Sequence, residues 1–322
     1  MTGGAGFLGQ MVVNALLAPS EIVLGGIAVP LTAVTVVDRV APPASTDPRV
    51  QVLTGDLSAL LASHAEVFQD ADAVIHLASA VSGECEADLR LGLDANVYTG
   101  LRLAEVVAEA SQRPILVFAS SLAVYGGTDD TPLPKTITDD VRPTPQNSYG
   151  AQKLMLETLF ADLHRRALID LRALRLMTVS VRPGRPNQAA SSFLSGIIRE
   201  PLQGQPAVVP VDPDLAVALN SPAGAVAGLL HALSLDREAW GGPLAVNCPG
   251  LRITVGAMID ALEQVGGADA VARLTYAPDA RISGIVSRWP SDFQSQRAEG
   301  LGFQAEPDFV EVIRQFQAGR LS

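Results

Sequence analysis

Apolar residues recur along this chain in two alternating rhythms, and the order of those rhythms predicts an architecture. Met11, Val12, Val13, Ala15, Leu16 and Leu17 form an apolar helical run directly after Gly9. Residues 31–37 are β-branched and uninterrupted, as expected of a strand buried on both faces of a parallel sheet. Shorter strands are expected over 50–53, 73–77 and 114–118. Between the last two, residues 96–110 carry Val97, Leu101, Leu103, Ala104, Val107 and Ala108 as an apolar stripe at helical spacing. Strands alternating with helices predict right-handed crossovers and a doubly wound parallel sheet, an α/β fold.

A proline-rich loop over 131–145 leads into a helix that starts at Ser148 and continues through Leu154, Leu156, Leu159 and Phe160. Further on, 221–233 reads as an alanine-rich helix, 243–247 as a strand and 254–265 as a helix stopped by Gly266-Gly267. A short strand over 274–276 and a terminal helix over 308–317 complete the pattern. The expected division is a sheet domain over 1–180, with 221–250 returning to it, and a smaller C-terminal lobe over 181–220 and 251–322.

Composition narrows the function classes. Of 322 residues, 48% are hydrophobic, enough for a large core, and 18% are charged, against a usual share of about 25%. A net charge of −11 argues against nucleic acid and against anionic membranes, both of which need clustered Lys and Arg. Cys85 and Cys248 lie far apart and point to no disulfide framework, and the four histidines show no metal-ligand spacing. With no apolar run of membrane-spanning length and no signal peptide, the chain reads as a soluble cytoplasmic protein without a metal. Whether it acts as a homodimer stays open.

The chemistry begins at Thr2-Gly3-Gly4-Ala5-Gly6-Phe7-Leu8-Gly9. Glycines at 3, 6 and 9 suit a tight turn, a backbone close to phosphate and a helix packed on a strand, while the helix N-terminus behind them favours an anion. This reads as a pyrophosphate cradle. The strand that should carry it is missing, so the first strand of the sheet is expected to be truncated. Met1 stands where that strand's last residue belongs, as though the start were placed too late, and an extension of about five apolar residues is expected to raise stability and NAD affinity. Asp38, at the tip of the 31–37 strand, suits the hydroxyls of an adenosine ribose and repels a 2′-phosphate, favouring NAD over NADP. It lies further from the glycines than the usual distance of about 20 residues, with 19–30 as the lengthening insertion. Asp56-Leu57 follows the next strand, where it meets the adenine edge, and the small residues Ala78, Ser79 and Ala80 end the one after. His76 reads as a packed strand-end residue.

Ser121 ends the 114–118 strand, and Tyr149 and Lys153, four apart on one helix, share a face. A tyrosine is a poor base at neutral pH, and a nearby ammonium is expected to bring its pKa down toward the working range. The glycines, Asp38, Asp56, Ala78 and Ser121 all fall at strand carboxyl ends, where doubly wound sheets bind their ligands.

In combination, Thr2-Gly3-x-x-Gly6-x-x-Gly9, Asp56-Leu57, His76-Leu77-Ala78, Asn96-Val97, Ser120-Ser121-x-x-Val124-Tyr125-Gly126 and Tyr149-x-x-x-Lys153 resemble the extended short-chain dehydrogenase/reductase family, the NAD-dependent epimerases and dehydratases. The resemblance covers roughly the first 180 residues. It implies a Rossmann-type domain binding NAD through Gly3, Gly6, Phe7, Leu8, Gly9, Asp38, Asp56, Leu57, Ala78, Tyr149 and Lys153. Tyr149 would be the acid/base, Lys153 would bind ribose and tune Tyr149, Ser121 would orient the reacting oxygen, and Asn96 would support the site through backbone and water.

After Lys153 the chain departs from the nucleotide-sugar members. Arg182-Pro183-Gly184-Arg185-Pro186-Asn187, with Ser191-Ser192 and later Ser287-Arg288-Trp289-Pro290, resembles the D-erythronate dehydrogenase branch. Arginine presents a planar fork to a carboxylate, so this loop suits a compact hydroxylated acid; the alternative is that these arginines make surface ion pairs or lobe contacts. The resemblance implies an NAD-dependent dehydrogenase that oxidises the 2-hydroxyl of a small anionic sugar acid, with Ser79, Ser121, Arg182, Asn187, Ser192 and Arg288 binding substrate. The alternatives are a nucleotide-sugar epimerase or dehydratase, a uronate dehydrogenase, and a non-catalytic NAD(H) sensor. The intact Ser121, Tyr149 and Lys153 set argues against the sensor.

Overall fold

The computed structural model describes residues 1–184, 189–306 and 308–319. Its strands, in chain order, are β1 (Glu21–Leu24), β2 (Ile27–Pro30), β3 (Val34–Asp38), β4 (Val50–Thr54), β5 (Ala73–His76), β6 (Ile115–Ser121), β7 (Asp170–Leu176), β8 (Thr178–Val179), β9 (Ala207–Val209), β10 (Ala216–Asn220), β11 (Val246–Asn247), β12 (Leu251–Thr254) and β13 (Leu274–Tyr276).

Two parallel groups make the main sheet, β4-β3 and β5-β6-β7-β11. Thr2 joins them, bridging in parallel to Val37 on one side and His76 on the other. Its N–H donates to the Ile75 carbonyl and the Gly3 N–H to the Val37 carbonyl, so residues 1–3 occupy the first-strand position directly before the glycine turn. All seven residues of β7 are buried, as in a strand covered on both faces, and its charged members are paired, Asp170 with Arg172 and Arg175 with Glu157. One face is covered by Val12 and Leu16 of the Phe7–Leu17 helix with Val226, Leu229 and Trp240. The other is covered by Leu61, Phe68, Leu103, Val107 and Phe160.

The segment 19–30, expected as an insertion, is the antiparallel β1–β2 hairpin, with Gly25 and Gly26 both at positive φ in its turn. A second core, built from Val181, Ile197, Leu219, Met258, Leu262 and Ile313 among others, lies beneath the small β12-β10-β8 sheet and the β9–β13 pair. Ala298 and Phe303 return from the C-terminal third to the main sheet's core. Ser221 caps the Pro222–Ser234 helix by accepting from the Gly224 N–H, with Pro222 at its first position. No helix among the described residues is long and apolar enough to cross a membrane.

Candidate active site

The glycine turn has the geometry a cradle needs. Gly3 has φ 71°, and a Cβ there would lie 2.6 Å from the Ala78 nitrogen. A Cβ on Gly9 would run into the Gly3 carbonyl oxygen and the Gly4 backbone. Gly6 caps the Phe7–Leu17 helix with no side-chain hydrogen bond, which leaves the first-turn N–H groups free for an anion. Asp38, at the end of β3, braces the turn: Oδ2 accepts the Ala5 N–H at 2.9 Å and Oδ1 the Val40 N–H at 3.2 Å.

A cavity of about 350 Å³ opens beside this turn. Gly3, Gly6, Phe7, Leu8 and Gly9 form one side, Ser79, Ser121, Tyr149 and Lys153 the floor, and Arg182, Ser191 and Trp289 the lobe side. The floor is set by the Ser148–Arg165 helix, whose cap Asn147 accepts the Gly150 N–H at 2.8 Å. Gly150 lets that helix sit against the Leu122–Val124 turn, because any Cβ there would strike the Ala123 carbonyl. Ser121 Oγ accepts the Ala123 N–H at 3.1 Å and its hydroxyl is hydrogen-bonded with Tyr149. Lys153, 2% exposed, donates to the Ala119 carbonyl at 2.9 Å, and its Nζ lies 5.5 Å from the Tyr149 ring centroid.

Burial dominates the electrostatics here. It pushes Tyr149 up to about 12, with the buried Cys85 thiol adding to the rise; hydrogen bonding from Ser121 and Ser79 and the charge of Arg182 pull the other way without winning. Burial also brings Lys153 down to about 8. The depression of Tyr149 expected from Lys153 is therefore reversed: desolvation of a phenol outweighs its cationic neighbours.

Asn96 lies behind the floor, 3% exposed. It sits in a π-helical stretch, Leu93–Tyr98, that opens into the Thr99–Ala108 helix, a local widening common where a helix serves a site. Its Oδ1 accepts from the Ala80 N–H and the Ser79 hydroxyl, and its Nδ2 donates to Gln152 Oε1 at 2.7 Å. Asp56 is exposed and caps the Leu57–Ser63 helix, while Leu57 packs on the second face of the sheet and Ala78 follows β5. His76 is buried between Phe118 and Phe160, a packed residue as expected.

Two expected substrate residues face elsewhere. Ser192 lines a neighbouring cavity of about 640 Å³, and the short turn Ala190–Ser192 directs Ser191 into the cavity beside the glycine turn instead. Arg288 is exposed on a separate cavity of about 130 Å³, because the chain turns after the Ala280–Val286 helix and presents Trp289 to the site. Asn187 lies outside the described residues. Ser191 and Trp289 are the residues sequence reasoning missed, each one position from a residue it chose.

The chain matches the NAD-dependent epimerase/dehydratase family over residues 1–215. It belongs to that family. It is 45% identical to a D-erythronate dehydrogenase of Cupriavidus necator over 98% of this chain and 96% of that protein. A D-erythronate dehydrogenase of Haemophilus influenzae is 38% identical, with 98% and 97% covered. Among solved structures, a nucleoside-diphosphate-sugar epimerase from Agrobacterium tumefaciens superimposes with a TM-score of 0.90 at 36% identity, covering 100% of this chain and 94% of that one. The protein is an NAD-dependent oxidoreductase of this family, and the uncapped helix start and glycine turn fit a dinucleotide.

Proposed function

We propose that the protein oxidises the 2-hydroxyl group of a small sugar acid, D-erythronate or a close analogue, to the 2-keto acid. One observation carries this reading: the Arg182 guanidinium stands beside Tyr149 in the catalytic cavity and, among the described residues, forms no ion pair. A guanidinium offers a carboxylate two parallel bonds, so an unpaired one here suits a compact acid. The names of the 45% and 38% identical relatives support the same substrate class.

In this reading the Gly3, Gly6 and Gly9 turn, with the N–H groups of Phe7 and Leu8, holds the pyrophosphate. Asp38 takes the adenosine ribose, and Asp56, Leu57 and Ala78 border the adenine half. NAD, when bound, supplies the acceptor for the hydride leaving the alcohol carbon. Tyr149 as phenolate takes the hydroxyl proton on its Oη, and the Ser121 hydroxyl beside it donates to the reacting oxygen. Lys153 holds the nicotinamide-side ribose, Asn96 braces the floor through Ser79 and Ala80, and Arg182 fixes the carboxylate beside Ser191. The division into a cofactor domain (1–180 with 221–250) and a substrate lobe (181–220 and 251–322) and a cytoplasmic location belong to the same proposal.

NADH absorbance across a panel of four- to six-carbon sugar acids tests it, with fastest turnover expected on a four-carbon 2-hydroxy acid; no reduction with any member overturns it. Tyr149→Phe should lower kcat by about 10²–10⁴-fold and leave the NAD dissociation constant within about twofold. The Agrobacterium tumefaciens structure favours a second reading, a nucleotide-sugar epimerase. That activity would interconvert its substrate with no net accumulation of NADH.

A further inference from the structure

Both main-chain hydrogen-bonding groups of residue 182 are held by one helix. The Arg182 N–H donates to Ser195 Oγ at 3.0 Å, and its carbonyl accepts from Arg199 Nη1 at 2.7 Å. Ser195 and Arg199 are one turn apart on the Phe193–Leu202 helix and are 1% and 2% exposed. Neighbouring bonds lock each of them. Ser195 Oγ lies 3.5 Å from Ser180 Oγ, which donates to the Leu194 carbonyl, and Arg199 Nη2 pairs with Glu200 Oε1 at 2.5 Å. A residue gripped at both its N–H and its C=O by two buried side chains has little freedom in the direction its own side chain leaves the backbone.

We propose that Ser195 and Arg199 are positioning residues, clamping the main chain of Arg182 so that its guanidinium stays aimed at the substrate carboxylate beside Tyr149. This rests on the sugar-acid reading above. The Arg199 fork is needed twice, once for the Arg182 carbonyl and once for Glu200, a task that the single point charge of lysine does not fill. Burial, and then the neighbouring charge of Arg199, disfavour the charge on Arg182, and a bound carboxylate would offset both. The clamp thus couples a buried helix of the lobe to the orientation of substrate.

The test is a double-mutant cycle read on substrate. KM is measured for D-erythronate, together with the inhibition constant of the uncharged four-carbon polyol as competitor. Ser195→Ala and Arg199→Lys should each raise KM for the acid about 3–10-fold, the loss of one buried hydrogen bond. The polyol constant, kcat and NAD affinity should stay within about twofold, and Ser195→Thr, which keeps the Oγ, should restore KM. Adding Ser195→Ala to Arg182→Ala should raise KM no further. If the acid and polyol constants shift together, or the two changes are additive, the clamp is overturned while the carboxylate reading stands. Arg182→Ala with an unchanged KM for the acid would overturn both.

Discussion

Single residues carry the site's tolerances. Gly9 is the tightest of the glycine turn, since a Cβ there meets the Gly3 carbonyl and the Gly4 backbone, neither of which can move aside. Gly9→Ala is expected to cost about 1–3 kcal/mol of overpacking and to weaken NAD binding at least about tenfold, measured by titration calorimetry. Gly284, in the Ala280–Val286 helix with nothing within 4 Å, is the control: alanine there should be neutral or stabilise by up to about 1 kcal/mol. As the proposed base, Tyr149 would set the pH dependence. Oxidation needs the phenolate, and burial holds this phenol at about 12, so kcat/KM for oxidation should climb from pH 7 toward pH 10, by up to about tenfold per unit. A profile that is flat over that range would remove Tyr149 as the base. The 3-6-9 spacing and the Tyr149–Lys153 pair were visible in the residues alone. Arg288 and Ser192 were chosen for their chemistry over Trp289 and Ser191, because which of two neighbours faces a cavity depends on where a helix ends.

At the level of elements, the Ser148–Arg165 helix that bears Tyr149 and Lys153 is registered on the sheet by a buried network. Glu157 lies one turn beyond Lys153; its Oε1 accepts the Ser120 hydroxyl at 2.5 Å and its Oε2 pairs with Arg175 of β7 at 2.6 Å. Arg175 also donates to the Tyr125 hydroxyl at 2.6 Å, which donates in turn to Asn247 of β11 at 3.0 Å. The network therefore fixes Ser120, next to Ser121, against the helix that bears Tyr149. Glu157→Ala leaves a buried guanidinium unpaired and should cost about 3–5 kcal/mol in denaturant unfolding, whereas Glu157→Leu with Arg175→Met should cost much less. An equal loss in the single and double variants would show that the pair's charge is not what matters. Nothing in the local pattern pairs Glu157 with Arg175, since partners on a helix and on the following strand meet only after the crossover has packed. The β1–β2 hairpin is the opposite case. Its Gly25-Gly26 turn between two apolar runs is a hairpin signal in the residues themselves.

For the whole molecule, the joint of the sheet is also its acid-sensitive point. His76 is buried beside Thr2, whose hydroxyl lies 2.7 Å from its Nδ1, and burial, then Lys153, bring its pKa down to about 3. Because the unfolded chain binds that proton near pH 6.5 and the folded one does not, stability rises with pH between about 3 and 6.5 and is lost on acidification through that window. The full shift corresponds to on the order of 5 kcal/mol. Melting temperature measured from pH 7 to pH 4 should fall more steeply for the parent protein than for His76→Asn; parallel curves would remove His76 from the account.

Periodicity and punctuation determined the doubly wound class, the strand-end placement of the glycine turn, Asp38 and Ser121, the shared helix face of Tyr149 and Lys153, and the family those motifs share. These are local properties: alternation, glycine spacing and i,i+4 geometry act within a few residues of one another. Tertiary structure decided what depends on solvent exclusion and on distant partners. It raised Tyr149 where a neighbouring lysine was expected to lower it, because desolvation at the cavity floor outweighs the nearby charge. It joined the two halves of the sheet through Thr2, and it turned Ser191 and Trp289 toward the cavity. It also brought Ser195 and Arg199 to the backbone of Arg182, a contact between segments whose apolar patterns carry no record of each other.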